Sequence, residues 1–113
     1  MANPIRGEIW LADLGATRGH EQAGRRPVLV FSVDPFNSGP AGLVIVLPLT
    51  STIRQVPAHV LDQPPEGGLR RPSVILSDAI RSVTKDCLVS RWGAISPTTM
   101  ARAESAVRAL LGL

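Results

Sequence analysis

The stretch TRGHEQAGRRPVLVF, Thr17 to Phe31, places a histidine, a glutamate, a glutamine and three arginines immediately before a proline and an apolar run. Guanidinium groups fork onto phosphate oxygens, a carboxylate accepts a proton and an imidazole titrates near neutral pH, so these residue types suit chemistry at a phosphodiester. Arg26 is the leading candidate, because Pro27 drives its backbone into an extended conformation against the strand that follows. Thr50, the second, ends the apolar run in PLTST, where its hydroxyl can hydrogen-bond a phosphate oxygen or an attacking hydroxyl group. Ser51 and Thr52 beside it carry the same chemistry.

The rest of the loop offers alternatives for the same task. Glu21 can accept a proton or tie down an arginine, and the Gln22 amide can hold loop, phosphate or base. His20 is the obvious general base by residue type, while Arg25 suits phosphate or base contact without chemistry. Gly19 and Gly24 permit tight turns, but no G-K-[ST] follows, so this is not a nucleotide-binding P-loop. Elsewhere, Asp78 and Arg81 in LSDAIRSV lie three apart, hence on opposite faces of a strand. Arg70 and Arg71 would add positive field. His59 reads as a strand residue, Cys87 as packing, and Trp92 as packing or an interface residue.

The elements needed to position these groups are legible in the pattern. GEIWLADL, Gly7 to Leu14, reads as a half-buried strand with Ile9 and Leu11 on one face and Trp10 on the other. VLVFSV, Val28 to Val33, has the β-branched density of a core strand. Turn formers fill Asp34 to Gly42, and the next strand begins near Leu43, with Pro48 marking an edge or a bulge. Short strands are expected at Ala58 to Leu61, at Ser73 to Val83 and in CLVSRWGAI. The period then changes: in SPTTMARAESAVRALLGL, Met100, Ala103, Val107, Leu110 and Leu111 share a helical face, with Ser96 as N-cap and Pro97 at the first helical position. The expectation is a single domain over 1–113, mainly β in an α+β arrangement, as a small barrel or twisted antiparallel sheet capped by a C-terminal helix.

Composition narrows the partners. Twelve basic against nine acidic residues give +3, and eleven of the twelve are arginine, a bias that suits nucleic acid and that GC-rich codons also produce. Tyrosine is absent and aromatics are 4%, which argues against an RNA reader built on stacked rings. A lone cysteine permits no internal disulfide and offers no zinc spacing, so no metal or other cofactor is expected. GLVIVLPL is too short to span a bilayer and the N-terminus lacks the apolar core of a signal peptide, which points to a cytoplasmic protein.

Taken together, GEIWLADL, TRGHEQAGRRPVLVFS, VLPLTS, SVILSDAIRSV and the C-terminal helix resemble the MazF/PemK family of toxin ribonucleases over nearly the whole chain. The segment G-x-E-Q-x-G-x-R-P before an apolar strand is the specific part of the match. The resemblance implies an SH3-like barrel, a homodimer, metal-independent and sequence-specific cleavage of single-stranded RNA through 2′-hydroxyl attack, and a cognate MazE-like antitoxin whose acidic tail occupies the RNA groove. It makes Arg26 and Thr50 the catalytic arginine and threonine; Glu21 joins them as a catalytic candidate, either as proton acceptor or as the carboxylate that holds an arginine and the loop shape. His20, Gln22, Arg25, Ser51, Asp78 and Arg81 become RNA-contact residues, and the family does not depend on a histidine at position 20. Two other classes stay open: a non-enzymatic poison binding DNA gyrase, and a catalytically silent RNA-binding barrel or interaction module.

Overall fold

The structure is a computed structural model and describes residues 3–15 and 24–113. Among these, the strands are β1 (Glu8–Asp13), β2 (Arg25–Val30), β3 (Leu43–Thr50), β4 (His59–Asp62), β5 (Ser73–Leu76), β6 (Arg81–Thr84) and β7 (Leu88–Ala94), with helices α1 (Asp34–Asn37) and α2 (Pro97–Leu111). The strands form one sheet in the order β4-β5-β3-β2-β1-β7, with β6 pairing β3 beside that path. Every ladder is antiparallel. The expected architecture, a mainly antiparallel sheet with a C-terminal helix, is what the chain adopts.

β1, β2 and β3 are apolar on both faces, and each face builds its own core. Ile9, Leu29, Leu47, Leu49 and Ile75 meet Ala103 and Val107 of α2 in one cluster. Trp10, Ala12, Val28, Val30, Val44, Val46 and Val83 form the other. The strand expected to be half-buried is therefore buried on both sides, Ile9 at 0% and Trp10 at 7% exposure. Successive side chains point to opposite faces of a strand, so the even-numbered residues of β2 and β3 share the second cluster's side.

Pro48 does not mark an edge. On the side away from β2, β3 pairs with β6 up to Val46 and with β5 from Leu49, so Pro48, which has no N–H to give, falls in the gap between two partners. β2 begins earlier and ends earlier than its apolar run suggested, at Arg25 and Val30. The segment after it holds a one-turn helix, α1, within what reads in sequence as a turn region. Its Asn37 is fully buried, and the Asn37 amide donates to the Ser32 carbonyl at 2.9 Å while Ser32 Oγ accepts from the Ile45 amide at 2.9 Å. That side chain substitutes for the backbone bonds a tight hairpin would make.

α2 is capped as its sequence dictates. The Thr99 amide donates to Ser96 Oγ at 3.2 Å, Pro97 occupies the first turn, and Gly112 terminates the helix in the left-handed conformation. Thr99, Ala103 and Val107 are buried and Met100 packs against the core, but Leu110 and Leu111 are exposed at 49% and 56%. The helix outruns the sheet that its apolar face was expected to cover. The turn after β4 lies directly on the backbone of β7: a Cβ on Gly68 would stand 2.3 Å from the Trp92 carbonyl oxygen, and one on Gly93 2.7 Å from the Gly67 carbonyl carbon. Only glycine allows the 3-10 turn Glu66–Gly68 to lie so closely on β7.

Candidate active site

Three chain segments come to one end of the sheet: the end of β1, the start of β2 and the end of β3. Arg26 pairs with Ala12 and Arg25 with Asp13. The loop between β1 and β2 is closed at its base by reciprocal bonds, the Leu14 amide to the Gly24 carbonyl at 2.9 Å and the Gly24 amide to the Gly15 carbonyl at 2.8 Å. Its stem is thus fixed at this end of the sheet. His20, Glu21 and Gln22, like Gly19, belong to that loop and lie outside the described residues.

The β2–β3 ladder runs Val30↔Val46, Leu29↔Leu47, Val28↔Pro48. Continued by two residues, the same register sets Arg26 level with Thr50 on the neighbouring strand. Both share the parity of Val28 and Pro48 and so stand on the sheet face that carries the second apolar cluster. Arg26 and Thr50 are half-buried, whereas Arg25 and Ser51 are exposed. Thr50 pairs with Val74 of β5, and its hydroxyl accepts from the Thr52 amide at 3.2 Å as the chain turns away. That bond occupies a lone pair and leaves the hydroxyl proton available for donation. A guanidinium and a hydroxyl on adjacent strands, each beside a packed core, are groups able to hydrogen-bond an anion.

Asp78 and Arg81 are not on opposite faces of one strand. The run Ser73 to Val83 breaks at a 3-10 turn, Ser77–Ala79, because its first half pairs with β4 and its second with the other half of β3. Asp78 sits in that turn, exposed, with His59 Nε2 at 3.4 Å from its Oδ1. Arg81 opens β6 opposite Val46, on the same sheet face as Thr50 and Arg26 but four residues back along β3, about 13 Å at ~3.3 Å per residue. By register, then, Arg26 and Thr50 fall at one level of the sheet and Arg81 lies further along the same face.

Sequence reasoning passed over two clusters of ionisable groups. Glu8, 8% exposed, accepts from the Ile5 amide at 2.8 Å and from Trp10 Nε1 at 3.0 Å, and it also takes Arg91 Nε. Burial alone would raise its pKa, but the bonds from Trp10, Arg91 and Ile5 outweigh it and hold the carboxyl below its usual value. At the other end, Asp62 is pushed up to about 7 by burial and by the Glu66 carboxylate beside it. Glu66 is held low despite its own burial by bonds from Thr99 and Ser96. These partners are 30 to 83 residues apart in Glu66–Ser96 and Glu8–Arg91, so no local spacing announces them.

Among the described residues no three His, Cys, Asp or Glu side chains converge as metal ligands, and no helix is long and apolar enough to cross a membrane.

The fold defines a class: small α+β domains in which an antiparallel sheet carries a C-terminal helix. The family model for the PemK-like, MazF-like toxin of type II toxin–antitoxin systems matches residues 5–111, and the chain belongs to that family. It is 34% identical over 110 residues to endoribonuclease MazF2 of Mycobacterium bovis, covering 96% of both chains. The crystal structure of MazF from Deinococcus radiodurans superposes with a TM-score of 0.88 at 28% identity, with 100% of each chain covered. A mycobacterial endoribonuclease solved in complex with its cognate antitoxin superposes at 0.78 with 29% identity, over 100% of this chain and 97% of that one.

Proposed function

We propose that this protein is a toxin endoribonuclease that cleaves single-stranded RNA at a short sequence, without a metal ion, and is neutralised by a cognate antitoxin of the MazE type. The observation that carries the reading is the level placement of Arg26 and Thr50 on β2 and β3, in a chain whose relatives are named endoribonucleases.

Cleavage without a metal uses the RNA's own 2′-hydroxyl as nucleophile. Its oxygen attacks the adjacent phosphorus, the bond to the 5′-oxygen breaks as that oxygen takes a proton from an arginine of the site or from water, and the products are a 2′,3′-cyclic phosphate and a 5′-hydroxyl. Negative charge builds on the non-bridging oxygens during the attack, and the Arg26 guanidinium binds two of them with parallel N–H bonds. Thr50 donates its hydroxyl proton to the same group or fixes the attacking oxygen. Glu21 is the loop carboxylate available to take the 2′-hydroxyl proton.

His20, Gln22, Arg25 and Ser51 flank that centre, and Asp78 and Arg81 extend the contact surface along the strand of RNA. A homodimer acting in the cytoplasm completes the reading, with two copies forming the walls of the RNA groove. The test is incubation of the purified protein with a long single-stranded RNA in EDTA, followed by mapping of the new ends. Cuts at one short sequence bearing cyclic phosphate support the proposal; intact RNA, or ends with 3′-hydroxyl groups, refutes it.

A further inference from the structure

β4 ends in a carboxylate placed where a carboxylate should not be. Asp62 is 3% exposed, and its Oδ2 lies fully buried with no donor directed at it. Its neighbour across the turn is Glu66, which is itself an acceptor, bound by the Ser96 amide at 3.2 Å and by the Thr99 side chain. Two ionised carboxylates cannot share that space, because each repels the other and neither offers a hydrogen. One proton between them resolves both defects: Asp62 becomes a donor to Glu66, and Glu66 remains the anion at the first turn of α2.

The other groups facing the pair do not supply that hydrogen to Oδ2. The positive charge of Arg102 of α2 favours the ionised form of Asp62, but its Nη1 donates to the Leu61 carbonyl at 3.1 Å. The Gln63 amide bonds Asp62, and β5 contributes Ser73, whose hydroxyl donates to the Arg71 carbonyl at 3.1 Å. His59 and Asp78 pair with each other at the opposite end of β4. Burial and the Glu66 charge hold the Asp62 proton to near pH 7, far above an exposed aspartate.

We propose that Asp62 and Glu66 share a single proton that latches the 3-10 turn Glu66–Gly68 to the N-terminus of α2, and that the latch opens when that proton is lost. Loss of the proton leaves two buried negative charges side by side, and their repulsion acts on the Glu66 carboxylate that holds the Ser96 amide. This device stands apart from the RNA-cleaving reading and uses none of its residues.

The test is NMR on the full chain. Carbon-13 titration of the side-chain carboxyls should show Asp62 ionising near neutral pH, and Ser96 amide protection, corrected for intrinsic exchange, should fall at least tenfold between pH 6 and pH 8.5. Asp62→Asn keeps a hydrogen donor to Glu66 without the titration, so its Ser96 protection should change less than twofold over the same range. An Asp62 carboxyl that ionises below pH 5 in the folded wild type, or protection that does not change with pH, overturns the proposal. The wild-type titration decides the matter even where the variant does not fold.

Discussion

Arg26 at the start of β2 and Thr50 at the end of β3 stand level with each other, two residues beyond the last ladder pair, Val28 and Pro48. Because the strands are antiparallel, the residues that open β2 and the residue that closes β3 lie at one end of the sheet. The crowded loop sequence is thereby attached to a rigid base. Position and support come from the same ladder.

The Thr50 hydroxyl acts through its proton in this account. Thr50→Ser should keep RNA cleavage within about fivefold of wild type, whereas Thr50→Val, which preserves shape, should lower it by about 10²-fold, the scale of one lost donor at an oxyanion. Single-turnover rates with saturating RNA check both. Equal rates for Val and Thr would remove the hydroxyl from the chemistry.

Glu8 should contribute to acid sensitivity. Its folded pKa lies below the ordinary glutamate value, so its stabilisation is present above the unfolded pKa and is lost as pH falls through the folded one. Glu8→Gln should therefore be less stable than wild type at pH 7, with the difference shrinking below pH ~4. Urea unfolding at both pH values reads this; a constant difference would mean that charge on Glu8 plays no part.

Gly68 tolerates no side chain. Its φ is +74° and an added Cβ meets backbone rather than a movable side chain, so Gly68→Ala should destabilise the fold by about 3 kcal/mol or more, or prevent soluble expression. Gly112→Ala, where the same conformation meets open space, should cost only about 1 kcal/mol. Thermal melts of the two side by side separate steric closure from conformational preference.

The Ser96 cap stabilises α2 independently of the site. Ser96→Ala should lower unfolding free energy by about 1 kcal/mol and leave the cleavage rate unchanged. A large loss of activity with unchanged stability would mean that the helix N-terminus contacts RNA.

What the sequence made legible follows from locality. The start of α2 was readable because Ser96 and Pro97 each act on the adjacent backbone. β1, β3 and β7 were readable from apolar runs between turn formers. The run Ser73 to Val83 misled because both halves are extended but pair differently, the first with β4 and the end of β3 and the second with the start of β3, a choice made by topology and not by propensity. α1 was hidden because a buried Asn37, which looks like a turn residue, organises it. Arg26 and Thr50 were recognisable one at a time from their strand ends and the family motifs, but their meeting is a matter of register. The Glu8–Arg91 and Asp62–Glu66–Ser96 clusters had no local signature at all.

The central claim is that Arg26 and Thr50 act on one phosphate. The most direct measurement is the single-turnover cleavage rate of one single-stranded RNA in EDTA by wild type, Arg26→Ala, Thr50→Val and the double variant, each verified as folded by circular dichroism. Residues that act as a unit are non-additive, so each single change should slow cleavage by about 10²-fold or more and the double variant should be little slower than the worse single one. A folded Arg26→Ala protein that cuts at the wild-type rate would contradict the account.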